Sequence, residues 1–451
     1  MTPFVNRFKK PTIIVLILIS VFSITCRNSF KCWSNNSPFF SDVDQYYSFL
    51  IAQTIHQDLA FNFPNNYWLI KTPTGKHIPK FSIGMAVMYS PFFYSAHFYT
   101  LHFSRQPADG YSRPYADALV IASFFYTLAG LYFLRKILLM FFDEWASALS
   151  ILTIYLATNL LFYTLAWGLM PHNYLFFLFS AILYSTIKWH QTLKLKYVMM
   201  LSLSMGLTVL VRPAQIIVFI IPILYNIRSL SDIKEKINFL YLQKKHVLLG
   251  ALCFLITILP QLLYWKWTSD SFLYFSYGDR ERFFFDDPKI IEFFFSYRKG
   301  WLVYTPIMFF SLIGFIWRKK IEIVYLSILV YTFVSIYVLS CWWCWWFGGG
   351  FGMRTMVESY VFLALPLTSF ISFCLHSWLG KLFVIVIISS AIYLNIVQIY
   401  QYKIATLHYD SMTKEVYWKI FGKWERTNEI IQFCEKHYLA PDYEKARIGI
   451  R

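Results

Sequence analysis

The sequence predicts an all-α polytopic membrane protein of about eleven transmembrane helices, with a long first external loop carrying membrane-parallel helices. Three observations carry this expectation. Of the 451 residues, 57% are apolar, 21% aromatic and only 14% charged, whereas soluble domains carry about a quarter charged residues. Apolar runs recur along the whole chain. Short basic or aromatic connectors separate them, as orientation in a bilayer requires. This composition excludes a soluble enzyme, a disordered chain and a disulfide scaffold.

Arg7, Lys9 and Lys10 precede the first apolar run, 11–25. Basic residues stay on the cytoplasmic side, so this helix should run from inside to outside. No small-residue cleavage site follows it, which favours an uncleaved span over a signal peptide. Further runs are 117–134, 145–165, 173–188, 197–211, 214–226, 247–265, 301–317, 322–340, 355–374 and 382–400. With 117–134 as the second complete span, the basic connectors 135–136, 188–196, 228–245 and 318–320 all fall inside.

The segment 81–103 would break that alternation if it crossed. Gly84, Pro91 and two histidines interrupt it, so it is expected as a kinked interfacial or re-entrant helix on the outer face. Pro213 stops a helix, so 197–211 and 214–226 should be two short spans with Arg212 at the outer turn. Residues 1–400 then form one transmembrane module, with 26–116 as its first external loop. Residues 401–451 form a short polar, periplasmic tail.

The formal charge of +17 invites a nucleic-acid reading, but the cations are confined to connectors and no recognition motif accompanies them. No nucleic-acid partner is expected. Seven cysteines are an odd number and imply no disulfide framework. Cys26 with Cys32, or Cys341 with Cys344, could pair in an oxidising compartment, although packing explains them as well.

Most of the unusual polar chemistry lies on outer connectors. SDVDQYY, residues 41–47, places two acids near an apolar surface, where they are costly without a partner or a task. Ser41 or Asp42 could simply cap a helix. Alternatively Asp42 or Asp44 could serve as general base to a hydroxyl, or both could bind a divalent metal such as Mg or Mn. On a helix the two would point to nearly opposite sides, and on an extended segment they would share a face. Tyr46 belongs to the same motif.

KTPTGKHIPKFSIG, residues 71–84, adds His77 as a substrate contact and Lys80, placed to meet a lipid phosphate. Lys71 and Lys76 read as interfacial anchors. In the loop 279–306, Arg298 and Lys299 precede Gly300 and could surround a phosphate, while 279–282 reads as a solvated, mutually paired charge run. CWWCWWFGGGFGMR, residues 341–354, holds four tryptophans, three consecutive glycines and Arg354. Interfacial anchoring explains some of the indoles. Trp345 and Trp346 could stack on a sugar, and Arg354 could hold a phosphate bidentately. His172 lies in a short outer turn facing the same region, and Arg212 joins the group of candidate phosphate-binding cations.

These motifs resemble those of the GT-C superfamily of polytopic glycosyltransferases, in particular bacterial members of the protein O-mannosyltransferase and aminoarabinose transferase group. The likeness rests on SDVDQYY, IPKFSIGMAVMYSPFF, LTVLVRPAQ, FFFSYRKGWLVYTP and WWFGGGFGMR. It implies an inverting transfer from a polyprenyl-phosphate-linked sugar to an acceptor hydroxyl on a lipid, glycan or protein. The catalytic acid would then be Asp42, with Asp44 as helper or metal contact. The expected location is a bacterial inner membrane, with the active site on the periplasmic face. The chain departs from the pattern in lacking an adjacent Asp-Glu pair and a large external C-terminal domain. A flippase of lipid-linked sugars, and a polysaccharide polymerase or ligase, are the competing functions. The almost purely apolar spans speak against a transport route.

Overall fold

A computed structural model describes residues 10–32, 38–65, 67–278 and 280–451 of the chain. Arg7, Lys9 and Asp279 lie outside the described residues. The described chain is mostly helical. It opens with α1 (Pro11–Phe30) and α2 (Asp42–Thr54), then a small hairpin of β1 (Leu69–Lys71) and β2 (His77–Pro79) paired antiparallel, with Ile70 opposite Ile78. There follow α3 (Gly84–Phe103), α4 (Arg113–Leu138), α5 (Glu144–Leu156), α6 (Leu160–Leu165), α7 (Pro171–Thr192) and α8 (Leu195–Val211). After a 3-10 stretch over Pro213–Phe219 come α9 (Ile220–Leu224), α10 (Ser231–Leu242) and α11 (Lys244–Ser269). The remainder comprises α12 (Ile290–Phe295), α13 (Trp301–Tyr304), α14 (Met308–Gly314), α15 (Glu322–Ser340), α16 (Tyr360–Cys374) and α17 (Trp378–Lys403). Three short helices, α18 (Lys414–Ile420), α19 (Asn428–His437) and α20 (Tyr443–Arg447), complete it.

Among the described residues, five stretches are long and apolar enough to cross a membrane: Pro11–Phe30, Arg113–Leu138, Lys244–Ser269, Met308–Ser340 and Trp378–Lys403. They mark the chain as a helical membrane protein. Met308–Ser340 leaves helical geometry at Trp317 (φ −91°, ψ 53°), and its two arms run in opposite directions against α16. Ser311 and Lys320 bond Leu363 and Ser372, whereas Tyr331 meets Ser359. Other expected spans are likewise interrupted. Residues 145–165 divide into α5 and α6, and α13 ends before Pro306. At the centre lie α7 and α16, whose side chains are buried on nearly every face, as expected for helices apolar all round.

Contacts between distant residues sort the helix ends into two sets. At one end Thr12 meets Arg135 and Glu144, Lys320 lies over the Phe142 ring, Lys236 bonds His190, and Arg228 pairs with Glu322. The four basic connectors named above therefore gather there. At the other end Arg27 pairs with Asp117, and Asn395 bonds the Thr158 carbonyl. The chain reverses at Arg212-Pro213, where α8 gives way to the 3-10 stretch.

The segment 81–103 is helical from Gly84 through Pro91 to Phe103 and lies antiparallel to the first half of α4: Phe92 meets Phe125 and Tyr126, and His97 bonds Tyr115. Its first turn seats on the last turn of α8. A Cβ on Gly84 would stand 2.2 Å from the Leu210 carbonyl carbon, so the two backbones touch.

Residues 401–451, expected as a polar tail, fold back on the bundle. Thr413, Thr427 and Asp442 accept bonds from first-turn N–H groups of α18, α19 and α20, the side-chain capping that starts short helices. Tyr417 donates to the Val303 carbonyl. The seven cysteines are all free, so neither proposed pair is a disulfide.

Candidate functional site

A cavity of about 1210 Å³ lies at the end away from the basic connectors. The start of α2 supplies one wall. Asp42, Val43 and Tyr46 line it, Asp42 and Val43 each standing about one helical turn from Tyr46, while Asp44, about 200° round from Asp42, does not. Asp44 accepts from the Tyr111 hydroxyl at 3.5 Å, and burial pushes its carboxyl above the usual range against that bond. Tyr46 stacks on Phe81 with centroids 4.3 Å apart. The capping expectation is corrected. Ser41 precedes α2 with φ 55° and makes no side-chain cap bond, since capping needs an extended residue at that position.

Arg354 reaches Asp42 from the opposite wall, Nη2 to Oδ2, at 3.5 Å. Its position depends on the break between α5 and α6. Asn159, at that break, donates to the Met353 carbonyl at 3.2 Å and accepts from the Tyr360 hydroxyl at 2.7 Å. Tyr163 accepts from the Phe351 N–H at 3.0 Å. Gly352, at φ 57°, packs where a Cβ would meet Tyr304 at 3.2 Å, and a left-handed backbone favours glycine there. The glycine run is thus clamped from below and delivers Arg354 to the cavity. Arg354 Nε and the Trp343 indole N–H are buried without partners among the described residues, leaving two donors for a ligand.

Arg212 lines the cavity beside Gln215. Behind them lies Glu358, fully buried, accepting from Gln215 Nε2 at 2.8 Å and facing His172 Nδ1 at 3.2 Å. His172 is itself buried and is not part of the cavity wall. Its reach to the site is through Glu358.

Lys80 is also in the wall, with its ammonium 2.8 Å from both carboxylate oxygens of Glu281. Arg447 of α20 approaches the same carboxylate at 4.0 Å. The expectation of a solvated 279–282 run is therefore corrected for Glu281. Its partners lie across the cavity, and Arg282 instead lies over the Phe284 ring.

The remaining candidates fall outside the wall. Arg298 donates to the Asp410 and Leu439 carbonyls and lies over the Trp346 ring. Lys299 is buried and donates to the Gly350 and Tyr409 carbonyls. Burial, reinforced by nearby Arg354, pushes its ammonium down to about 7. These two cations tie the glycine loop to the C-terminal segment. His77, on β2, is half-buried outside the wall. Of the four tryptophans, Trp342 and Trp343 line the cavity and Trp345 and Trp346 do not. The latter pack edge to face, centroids 5.6 Å apart, behind it. An isolated backbone bridge joins Trp342 to Phe283, with the Trp343 N–H donating to the Arg282 carbonyl at 3.1 Å.

For a divalent metal the two aspartates do not suit. Asp42 faces a guanidinium and Asp44 a phenol, and among the described residues no cluster of three or more His, Cys, Asp or Glu gathers to hold an ion.

No protein-family model matches the chain, and no curated protein matches it. The functional reading therefore rests on the site. Sequence reasoning missed Glu281, Glu358, Gln215 and Arg447. For Glu281, Glu358 and Gln215 the signal was an acid or amide placed beside an apolar run, where an unpaired polar group is costly, and Arg447 gave none.

Proposed function

We propose that the protein is a membrane glycosyltransferase of the GT-C type, which transfers a sugar from a polyprenyl-phosphate donor to an acceptor hydroxyl. The observation that carries the reading is the Asp42–Arg354 pair, 3.5 Å apart within a cavity that also presents Lys80, Arg212 and the Trp342–Trp343 face. Asp42 takes the proton of the acceptor hydroxyl as its oxygen attacks the anomeric carbon. The bond from that carbon to the phosphate oxygen breaks, and configuration inverts. Arg354, Arg212 and Lys80 balance the charge that develops on the departing lipid phosphate. Tyr46 and the tryptophan face provide apolar surface for the sugar. The active site opens toward the periplasm of a bacterial inner membrane, because the basic connectors gather at the opposite end and such connectors stay cytoplasmic. The acceptor is a lipid, glycan or protein hydroxyl.

The test is transfer from radiolabelled polyprenyl-phosphate sugars to membrane acceptors by purified protein in detergent, with wild type beside Asp42→Asn. Loss of a general base should lower transfer by about 10²–10⁴-fold while the variant still elutes as folded protein. Equal transfer by a folded Asp42→Asn variant sinks the assignment.

A further inference from the structure

We propose that Lys80 and Arg447 form a phosphate seat whose place is held by the Glu281 carboxylate until a phosphate-bearing ligand displaces it. The inference rests on the reading that a lipid phosphate enters this cavity. It adds two residues that reading does not use.

Lys80, Glu281 and Arg447 all line the cavity. The Lys80 ammonium is equidistant, at 2.8 Å, from the two Glu281 oxygens, and the Arg447 guanidinium stands 4.0 Å from one of them. A carboxylate between two cations occupies the place, and carries the sign of charge, that a phosphate would. Glu444 balances Arg447 from the exposed side, so the seat becomes electropositive, and open to an incoming anion, when Glu281 moves away.

The cations remain in place when the carboxylate leaves. Lys80 lies 4.7 Å over the Tyr277 ring and Arg447 5.2 Å over the Trp343 ring, contacts independent of Glu281. Arg447 also pairs with Glu444 at 2.5 Å, within its own short helix. Glu281 has the opposite character. It sits on irregular backbone between α11 and α12, and among the described residues its carboxylate has no hydrogen-bond or ion-pair partner besides these two cations. Its release costs no other side-chain contact, and the freed carboxylate gains water.

The seat is also joined to the candidate catalytic pair. Tyr277, beneath Lys80, lies within electrostatic reach of Tyr46, Arg212, Asp42 and Glu281. A phosphate on Lys80 and Arg447 would thus share one cavity with the Asp42 carboxylate, with its lipid tail free to leave along apolar wall.

The experiment measures binding of farnesyl phosphate to the full chain in detergent by calorimetry. Farnesol and inorganic phosphate serve as separate probes. If the Glu281-held form dominates by about ten to one, Glu281→Gln should tighten farnesyl phosphate binding about tenfold. Arg447→Gln should weaken it about tenfold, and farnesol affinity should change with neither. Glu281→Asp, whose shorter arm draws the carboxylate back from Lys80, should tighten binding in the same direction and covers failure of the first variant to fold. Tightening for farnesyl phosphate alone assigns the seat to a lipid headgroup. Equal tightening for inorganic phosphate assigns it to the free ion. Unchanged or weaker binding by both Glu281 variants, with wild type binding normally, overturns the seat and leaves the donor reading intact. No binding of farnesyl phosphate by wild type or variants overturns both.

Discussion

Asp42, the first residue of α2, and Arg354, the first residue of the 3-10 turn that follows the glycine-rich loop, meet at 3.5 Å across the cavity. The pairing sets an acceptor for a proton beside a planar fork of donors that can grip phosphate oxygens. A lysine at 354 would keep the charge and lose the fork. Arg354→Lys should therefore lower sugar transfer by about 10–100-fold with the elution profile unchanged, measured as kcat/KM at saturating acceptor.

Asp44 should behave differently from Asp42. It lies off the cavity, so Asp44→Asn should keep transfer within about twofold of wild type. Burial holds its carboxyl above the ordinary value of 3.8, which means the folded protein keeps that proton more tightly than the unfolded chain. Its contribution therefore weakens as pH rises above 3.8 and through the raised value. The melting temperature of Asp44→Asn, compared with wild type from pH 4 to about pH 8, should gain on wild type as pH rises.

Lys299 gives a pH dependence of opposite sign. Its ammonium falls from 10.5 to about 7 on burial, so the unfolded chain binds the extra proton between those values. Stability from this group rises with pH across that window. Melting curves of wild type and Lys299→Met from about pH 7 to about pH 10 should converge or diverge accordingly, with the wild-type slope the steeper.

Arg451 closes the C-terminal return. Its side chain is fully buried and donates to the Cys341 and Trp342 carbonyls at 3.0 Å each, besides pairing with Asp287. Arg451→Met takes the guanidinium from the Trp342 carbonyl, while Lys289 still pairs with Asp287 and the Phe284 N–H still bonds Cys341. It should destabilise the protein by about 1–3 kcal/mol, read as a lower melting temperature in detergent.

Gly84→Ala should loosen the cavity from the side of the hairpin. The added Cβ meets Leu210 and Val211 backbone at 2.2 Å, and backbone cannot swing aside as a side chain can. A cost of about 1–3 kcal/mol is expected, checked by thermal unfolding.

Much of the helical framework was legible because apolar runs report directly on burial in lipid or protein. The opposed directions of Asp42 and Asp44 follow from helical geometry alone. The choice among the four tryptophans did not, because a compact loop divides Trp342 and Trp343 from Trp345 and Trp346 by how it turns. Arg298 and Lys299 carry the right charge for phosphate but spend it on backbone carbonyls, acceptors that every sequence position has. Glu358 was hidden inside an apparent span, and its partners come from two other elements. Arg447 and Arg451 were hidden in a segment whose polarity suggested solvent. Four of its side chains, Thr413, Thr427, Asp442 and Arg451, instead organise its fold.

The bridge between Phe283 and Trp342 has a practical consequence. The strand of loop that carries Glu281 is hydrogen-bonded to the one that carries two cavity indoles, so neither can shift without tugging the other. Movement of the acidic loop should alter the surroundings of Trp342 and Trp343 and hence their emission. The protein carries its own optical gauge of whether that loop has moved, and Trp342→Phe with Trp343→Phe would silence it.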